Sequence, residues 1–464
     1  MLLSDTYLKG KFMPQTEFSD SSRLVFKMSL PIFIELLLQL LVGNIDQIMI
    51  SQYSQNSVAA IGNGNQVMGI IIMFLNVMSA ATSILISRAL GARDENRVTV
   101  VCNVSLIVIM AFGALATAVA VGLRGPLFSA LDVPGEVIDE AKAYLAVVGA
   151  FIIVQGLYAN LAAMLRSHGF VKDVMAVSVI MNVTNIGGNA ILINGLFGAP
   201  RLGLVGAAIS TDISKALGLL LIYRVFRRRV AVRLSPACLR PFPFDVLRQL
   251  LGIGLPSGAQ EASYSLSELF ILRFVNSFGT VVVATRVYCN ILSQIEYVYV
   301  IALAQATQIL VGYLVGGRQY DRVNNRIMKT TLISIGVSVG LTGVIYLFSD
   351  TFFSIFTQDP YILSLGKTII LIEFFLEVGR TINIVLMRTL VAAGDVVFPV
   401  VIGASCGWII AVMGGYLLGV HLGFGLAGIW AAKAADELVR GAASIVRLKS
   451  NAWRKRLELH QPAA

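Results

Sequence analysis

The sequence predicts an all-α polytopic membrane protein, with twelve transmembrane helices in two pseudo-symmetric six-helix lobes that form a parallel repeat. Three observations carry that prediction. Hydrophobic residues make up 56% of the 464-residue chain and charged residues 13%, with a mean hydropathy of +0.79. A soluble chain of this length carries about a quarter charged residues, so much of this one's outside must face lipid. Apolar stretches of the ~20 residues needed to cross a bilayer begin near residues 28, 58, 99, 140, 173, 203, 246, 281, 329, 361, 397 and 425. Finally, the halves echo each other. Thr82-Ser-Ile84-Leu85 with Gly91, Arg93, Arg97 and Val98 returns as Thr307-Gln-Ile309-Leu310 with Gly316, Arg318, Arg322 and Val323, an offset of 225 (307 less 82). Six spans per copy is an even number, so both copies enter the membrane from the same side.

In chain order, residues 1–24 are polar, carry Lys9 and Lys11, and show no apolar core before Leu24. They read as a cytoplasmic segment and not as a cleavable signal. Residues 25–226 hold the first six spans. An Arg- and Pro-rich link follows at 227–245, with Pro236, Pro241 and Pro243, then six spans over 246–448 and a tail at 449–464. Pro31 and Pro256, paired by the offset, are expected in the first turns of the first and seventh spans, where proline is tolerated. A hinge at each is the other reading. The Gly91-x-Arg93 and Gly316-x-Arg318 elements read as turns, glycine supplying the permissive backbone. The eighth span is assigned from its apolar run despite Arg286 and Glu296.

Net charge is +10, and its placement follows loop parity. Arg88, Arg93, Arg97, Arg166, Lys172, Arg227–Arg229, Arg318, Arg322, Lys449 and Arg454 fall on one side, while loops near 51–57, 276–282, 349–362 and 419–425 have no Lys or Arg. That is the positive-inside pattern of an inner (plasma) membrane protein with cytoplasmic termini, and it displaces a nucleic-acid-binding reading. Cys102, Cys238, Cys289 and Cys406 lack metal or disulfide spacing, and three histidines do not cluster. Neither a metal centre nor a membrane-embedded enzyme is expected, and no resident cofactor. The absence of a Gly-x-x-x-x-Gly-Lys-Ser/Thr loop leaves an ion gradient or a partner as the energy source.

Ionisable residues within spans are costly unless paired or facing water, which makes each a functional candidate. The first span carries Glu35, Gln39 and Asp46. At ~100° per residue, Glu35 and Asp46 fall within about 20° of one face. The seventh carries Glu261, Ser265 and Glu268 on one face; two acids facing one cavity would suit proton or cargo binding. Asn182, Asn185 and Asn189 form an amide ladder on the fifth span, able to glue helices or to offer oxygens to a small cation. Asp212 lies beside Ser210 and Thr211, with Lys215 three residues on. Glu373, Glu377 and Arg380 on the tenth span read as an internal ion pair, as do Lys433, Asp436, Glu437 and Arg440 on the twelfth.

Leu30-Pro31 with Asn44-Ile-Asp46-Gln-Ile-Met, Val58-Ala-Ala60, the Gly91 and Gly316 turns, Gly206-Ala-Ala-Ile-Ser-Thr211 and Gly394-Asp395 resemble the multidrug and toxic compound extrusion (MATE) family over residues 25 to 448. The resemblance implies two six-helix lobes and export of small organic, often cationic or aromatic, compounds against inward protons or sodium ions. It implies that Asp46, Asn185 and Thr211 belong to a first-lobe cation site and that Glu261 is the second-lobe acid. Asn189 departs from the family, many members having an acid there, and Asp212 is the candidate to compensate. A monomer is expected. Another parallel-repeat carrier, of major-facilitator type or a lipid-linked-sugar flippase, is the alternative.

Overall fold

The structure is a computed structural model that describes residues 21–131, 133–232, 234 and 240–454. Cys238, most of the amino-terminal segment before α1, part of the link and the end of the tail lie outside the described residues. In the first half the helices are α1 (Ser22–Ser51), α2 (Gln55–Gly91), α3 (Glu95–Gly122), α4 (Arg124–Ala130), α5 (Gly135–Ala150), α6 (Ile152–Ser167), α7 (Val171–Asn194) and α8 (Gly203–Arg229). In the second they are α9 (Phe244–Asn276), α10 (Thr280–Gly316), α11 (Tyr320–Leu347), α12 (Ser349–Ser354), α13 (Pro360–Ala392), α14 (Val397–Cys406) and α15 (Gly425–Lys449). From Gly407 to Met413 and from Tyr416 to His421 the chain beyond α14 is wound as π-helix, which the sequence did not signal.

A helix stands at each of the twelve expected positions, the fourth being α5 and α6 bent by 46°. Among the described residues eight helices are long and apolar enough to cross a membrane, nine when that bent pair is one span. The other three expected spans are α9, α13 and α15. Their 33, 33 and 25 residues are long enough at ~1.5 Å per residue, but they carry the acids and bases singled out above.

Local chemistry sets the helix ends. Ser54 caps α2 by accepting from Ser57 N at 3.4 Å, and Asp94 caps α3 by accepting from Arg97 N at 2.8 Å. Asp359 accepts from Tyr361 N at 2.9 Å, with Pro360 in the first turn of α13. Each such side chain satisfies an amide that has no partner within its helix.

The repeat is clearest at the opposite ends. Asp94 N donates to Ala89 O at 3.0 Å and Arg93 N to Leu90 O at 3.1 Å; Gln319 N donates to Leu314 O at 2.8 Å and Arg318 N to Val315 O at 3.1 Å. A second pair of turns joins Phe170 to Leu165 and Asp395 to Leu390, both at 2.9 Å. These are Schellman closures, which need one left-handed residue. Gly169 and Gly394 supply it in the second pair, with φ of 83° and 99°. In the first pair the expectation for Gly91 and Gly316 is corrected. Those glycines are the last helical residues, and Arg93 and Arg318, at φ 59° and 56°, take the left-handed position. The hydrogen-bond register, counted from where the helix unwinds, chooses the residue.

The prolines need correction too. Pro31 and Pro256 lie well inside α1 and α9, because those helices begin at Ser22 and Phe244. Each therefore removes an intrahelical hydrogen bond. The chain forms two compact units whose limits differ from the expected lobe boundaries. One comprises Ile34–Gly258; the other comprises Ala259 onward together with the start of α1 up to Phe33. Both divisions fall just after a proline.

Within the first unit Met78, Ile86, Ile109, Phe128, Leu145 and Ile152 fill the interior, and within the second Ile271, Val275, Phe353, Ile369 and Trp430 pack together. Small residues set the closest approaches. A Cβ on Gly206 would lie 2.5 Å from Leu192 O, and one on Gly428 would lie 2.7 Å from Leu418 O. These two glycines are a repeat pair at the offset of 222 (428 less 206), so both copies need a hydrogen there for the backbones to meet.

Candidate functional site

Three helices of the first unit bring the expected cation-site residues together. Asn189 Nδ2 on α7 donates to Asp46 Oδ1 on α1 at 2.6 Å. Asn185 Nδ2, one turn earlier, donates to Thr211 Oγ1 on α8 at 3.2 Å, and Ser210 Oγ donates to Asn185 O at 2.9 Å. Gly188 makes this contact possible, since a Cβ there would fall 2.4 Å from Ser210 Oγ. The amide ladder joins α7 to α8 and leaves acceptors over. Asn185 Oδ1, Asn189 Oδ1 and both oxygens of Asp212 are buried with no hydrogen-bond partner. Asn189 is 0% exposed and Asp212 3%. Buried oxygens without donors are costly and suit a bound proton or a small cation.

Residues that the sequence reading did not place here complete the cluster. Lys215 Nζ donates to Gln155 Oε1 on α6, and its charge acts on both Asp46 and Asp212. Tyr144 on α5 lies within the field of the same two carboxylates, and its hydroxyl donates to Asn65 Oδ1 on α2 at 3.0 Å. Lys215 follows Asp212 by three residues, yet the structure has no salt bridge between them. The ammonium is hydrogen-bonded to an amide on another helix.

Glu35 and Gln39 stand apart from this cluster. Arg166 Nη1 donates to both oxygens of Glu35 at 3.1 Å, a clamp from α6 to α1, and Gln39 is exposed. A shared helix face puts Glu35 in line with Asp46, but Arg166, in the last turn of α6, claims it. His168, in the turn after α6, is buried, and burial pushes its imidazole down to about 4, so it stays neutral at ordinary pH.

The second unit treats its acids differently. Glu268 is engaged by Lys433 at 2.8 Å and by Arg286 at 3.7 Å. Glu261 and Ser265, on the same helix, are exposed, and the structure does not join Glu261 to Glu268. Arg380 pairs with Glu377 and, at 3.3 Å, with Glu373, which also accepts from Trp430 Nε1 at 2.5 Å. Glu296, the acid of the eighth span, accepts from Thr342 Oγ1 at 2.8 Å. Arg440 pairs with Asp436 and, at 3.0 Å, with Glu437, which accepts from Asn383 Nδ2 at 2.7 Å. The expected pairing of Lys433 with Asp436 is therefore corrected. Arg440 takes Asp436 one turn on, and Lys433 reaches across to Glu268 on α9. Among the described residues no three His, Cys, Asp or Glu side chains form a metal-binding group.

The sequence profile described as MatE matches residues 31–191 and 256–417, one segment in each repeat. The chain is 36% identical over 435 residues to the "Uncharacterized transporter YisQ" of Bacillus subtilis (strain 168), covering 94% of this chain and 96% of that one. It is 26% identical to the "Probable multidrug resistance protein NorM" of Thermotoga maritima, covering 97% and 96%. Among solved structures, "Crystal structure of MATE in the bent conformation" superposes with a TM-score of 0.87 at 23% identity, covering 95% of this chain and 98% of that one. An "Outward-facing conformation of a multidrug resistance MATE family transporter of the MOP superfamily" gives 0.86 at 23% identity, covering 97% and 98%. The chain shares the twelve-helix, two-lobe fold of these solved structures.

Proposed function

Because the chain belongs to the MatE family of membrane transporters, we propose that it exports small organic molecules, cationic or aromatic in character, in exchange for an inward-moving cation. In this reading it is a monomeric antiporter of the plasma membrane with both termini in the cytoplasm, working by alternating access. Asp46, with Asn185, Asn189, Thr211 and Asp212, binds the coupling ion, H+ or Na+. Glu261 meets the cargo, and Glu268 serves the second lobe from within its ion pair. The observation that carries the reading is the hydrogen bond from Asn189 to Asp46, beside buried oxygens that have no donor. An ion couples two flows only if its binding favours one orientation of the carrier over the other, and a carboxylate held between helices can report occupancy in that way.

The test is efflux of a lipophilic cationic dye from proteoliposomes under separately imposed proton and sodium gradients. Asp46→Asn removes gradient-driven export in the expected outcome, while Glu261→Gln weakens export without changing which gradient drives it. Undiminished gradient-driven export in both variants would overturn the assignment.

A further inference from the structure

The first-lobe cluster already contains a cation of its own. Lys215 projects from α8 one turn beyond Asp212, so the two side chains share a helix face. Its ammonium is hydrogen-bonded only to Gln155 on α6, while its charge acts on Asp212 and on Asp46 of α1. The fields of both acids also reach Tyr144 of α5, whose hydroxyl is engaged with Asn65 Oδ1 at 3.0 Å. From α7 come only amides at this level, and Arg166 of α6 is committed to Glu35. Both oxygens of Asp212, 3% exposed, lack hydrogen-bond partners, as do Oδ1 of Asn185 and of Asn189. Desolvated oxygens of this kind would draw in a small hard cation. An ammonium held inside the same poorly screened region repels a second positive ion and supplies part of the charge that ion would bring.

We propose that Lys215 is the resident cation of the first-lobe cluster and that it bars Na+ from binding there. This rests on the reading of that cluster as the coupling site. Lys215 is then a specificity-determining residue: with it in place, a sodium gradient does not act through Asp46. Its hydrogen bond to a neutral amide leaves it free to lean towards either carboxylate. Na+ would have to displace it or share the site with it.

The test is equilibrium binding of radiolabelled Na+ to the purified full-length chain in detergent, for wild type, Lys215→Met, Lys215→Arg and the double variant Asp46→Asn with Lys215→Met. Wild type and Lys215→Arg show no saturable binding in the expected result. Lys215→Met gains saturable binding at least ~10-fold tighter than any in wild type, and the added Asp46→Asn removes it. Lys215→Gln, which keeps a polar group facing Gln155, repeats the gain should the methionine variant fold poorly. Saturable Na+ binding by wild type overturns the proposal, and so does the lack of any gain in folded Lys215→Met or Lys215→Gln. Binding needs neither cargo nor turnover, so its outcome is separate from that of the export assay. Undiminished export by Asp46→Asn would sink the coupling reading whatever Na+ does.

Discussion

The two lobes share a backbone pattern to the level of individual turn hydrogen bonds, yet most acids inside the second are matched by a base, Glu296 on the Thr342 hydroxyl excepted, whereas Asp46 and Asp212 of the first are not. In the first lobe Asp46 is held by one amide and Asp212 by no hydrogen bond at all, and the nearby ammonium rests on Gln155. In the second, Glu268, Glu373, Glu377, Asp436 and Glu437 each touch an arginine or a lysine. Buried charge that is matched in place holds a structure together, and removing one partner leaves a costly orphan. Buried charge left short of partners is available to a ligand. Duplication supplied one scaffold, and the side chains then divided the labour.

Substitutions that respect or violate this division sharpen the contrast. The largest effect is expected at Asp46. Asp46→Asn keeps an oxygen for Asn189 but removes the charge, so gradient-driven export falls by about 100-fold or more while the detergent melting temperature hardly moves; the scale is that of losing a carboxylate central to the site. Loss of fold together with activity would erase the proposed difference between the lobes. Arg380→Met should do the reverse. It strands Glu373 and Glu377 and costs about 3–5 kcal/mol, read as a lower melting temperature and a poor yield of folded protein. Glu35→Gln, in the first lobe but in a matched pair, should resemble Arg380→Met and not Asp46→Asn, with a loss of similar kind at Arg166. A purely functional defect at Glu35 would return it to the transport site. The smallest effect is at the repeated turns. Arg93→Gly and Arg318→Gly remove a left-handed strain of about 1 kcal/mol each, partly offset by the entropy of glycine, so a slight rise in melting temperature is expected. A clear fall would mean that the arginine side chains themselves help to hold these turns.

Much of this was legible in the chain. Apolar runs of spanning length located most of the long helices because lipid leaves the backbone few other ways to satisfy its hydrogen bonds. Asp46, Asn185, Asn189 and Thr211 were grouped in advance, through the amide spacing on one helix and the family resemblance. What stayed hidden was competition. Spacing places Lys433 within reach of Asp436, but it does not say that Arg440 wins that acid and frees the lysine for Glu268. In the same way Glu35 and Asp46 share a face of α1, and only the fold reveals that Arg166 takes the first. The glycines of the Gly-x-Arg turns drew attention to themselves, whereas the strained residue is fixed by where the preceding helix stops. Lys215 stands beside Asp212 in the sequence, but Gln155, which holds its ammonium, is far away along the chain.

The division of α1 and α9 after their prolines has a consequence for how the chain is made. A cut in the link at 227–245 yields two gene halves that mirror the repeat, yet neither would encode a whole compact unit. The amino-terminal product would carry residues up to Phe33 that belong with the other unit, and the carboxy-terminal product would carry Phe244–Gly258, which belongs with the first. Each fragment would emerge from the ribosome holding a piece that its sibling lacks. The two halves are thus interdependent as translation products, each compact unit being completed by a short piece of the other half of the sequence.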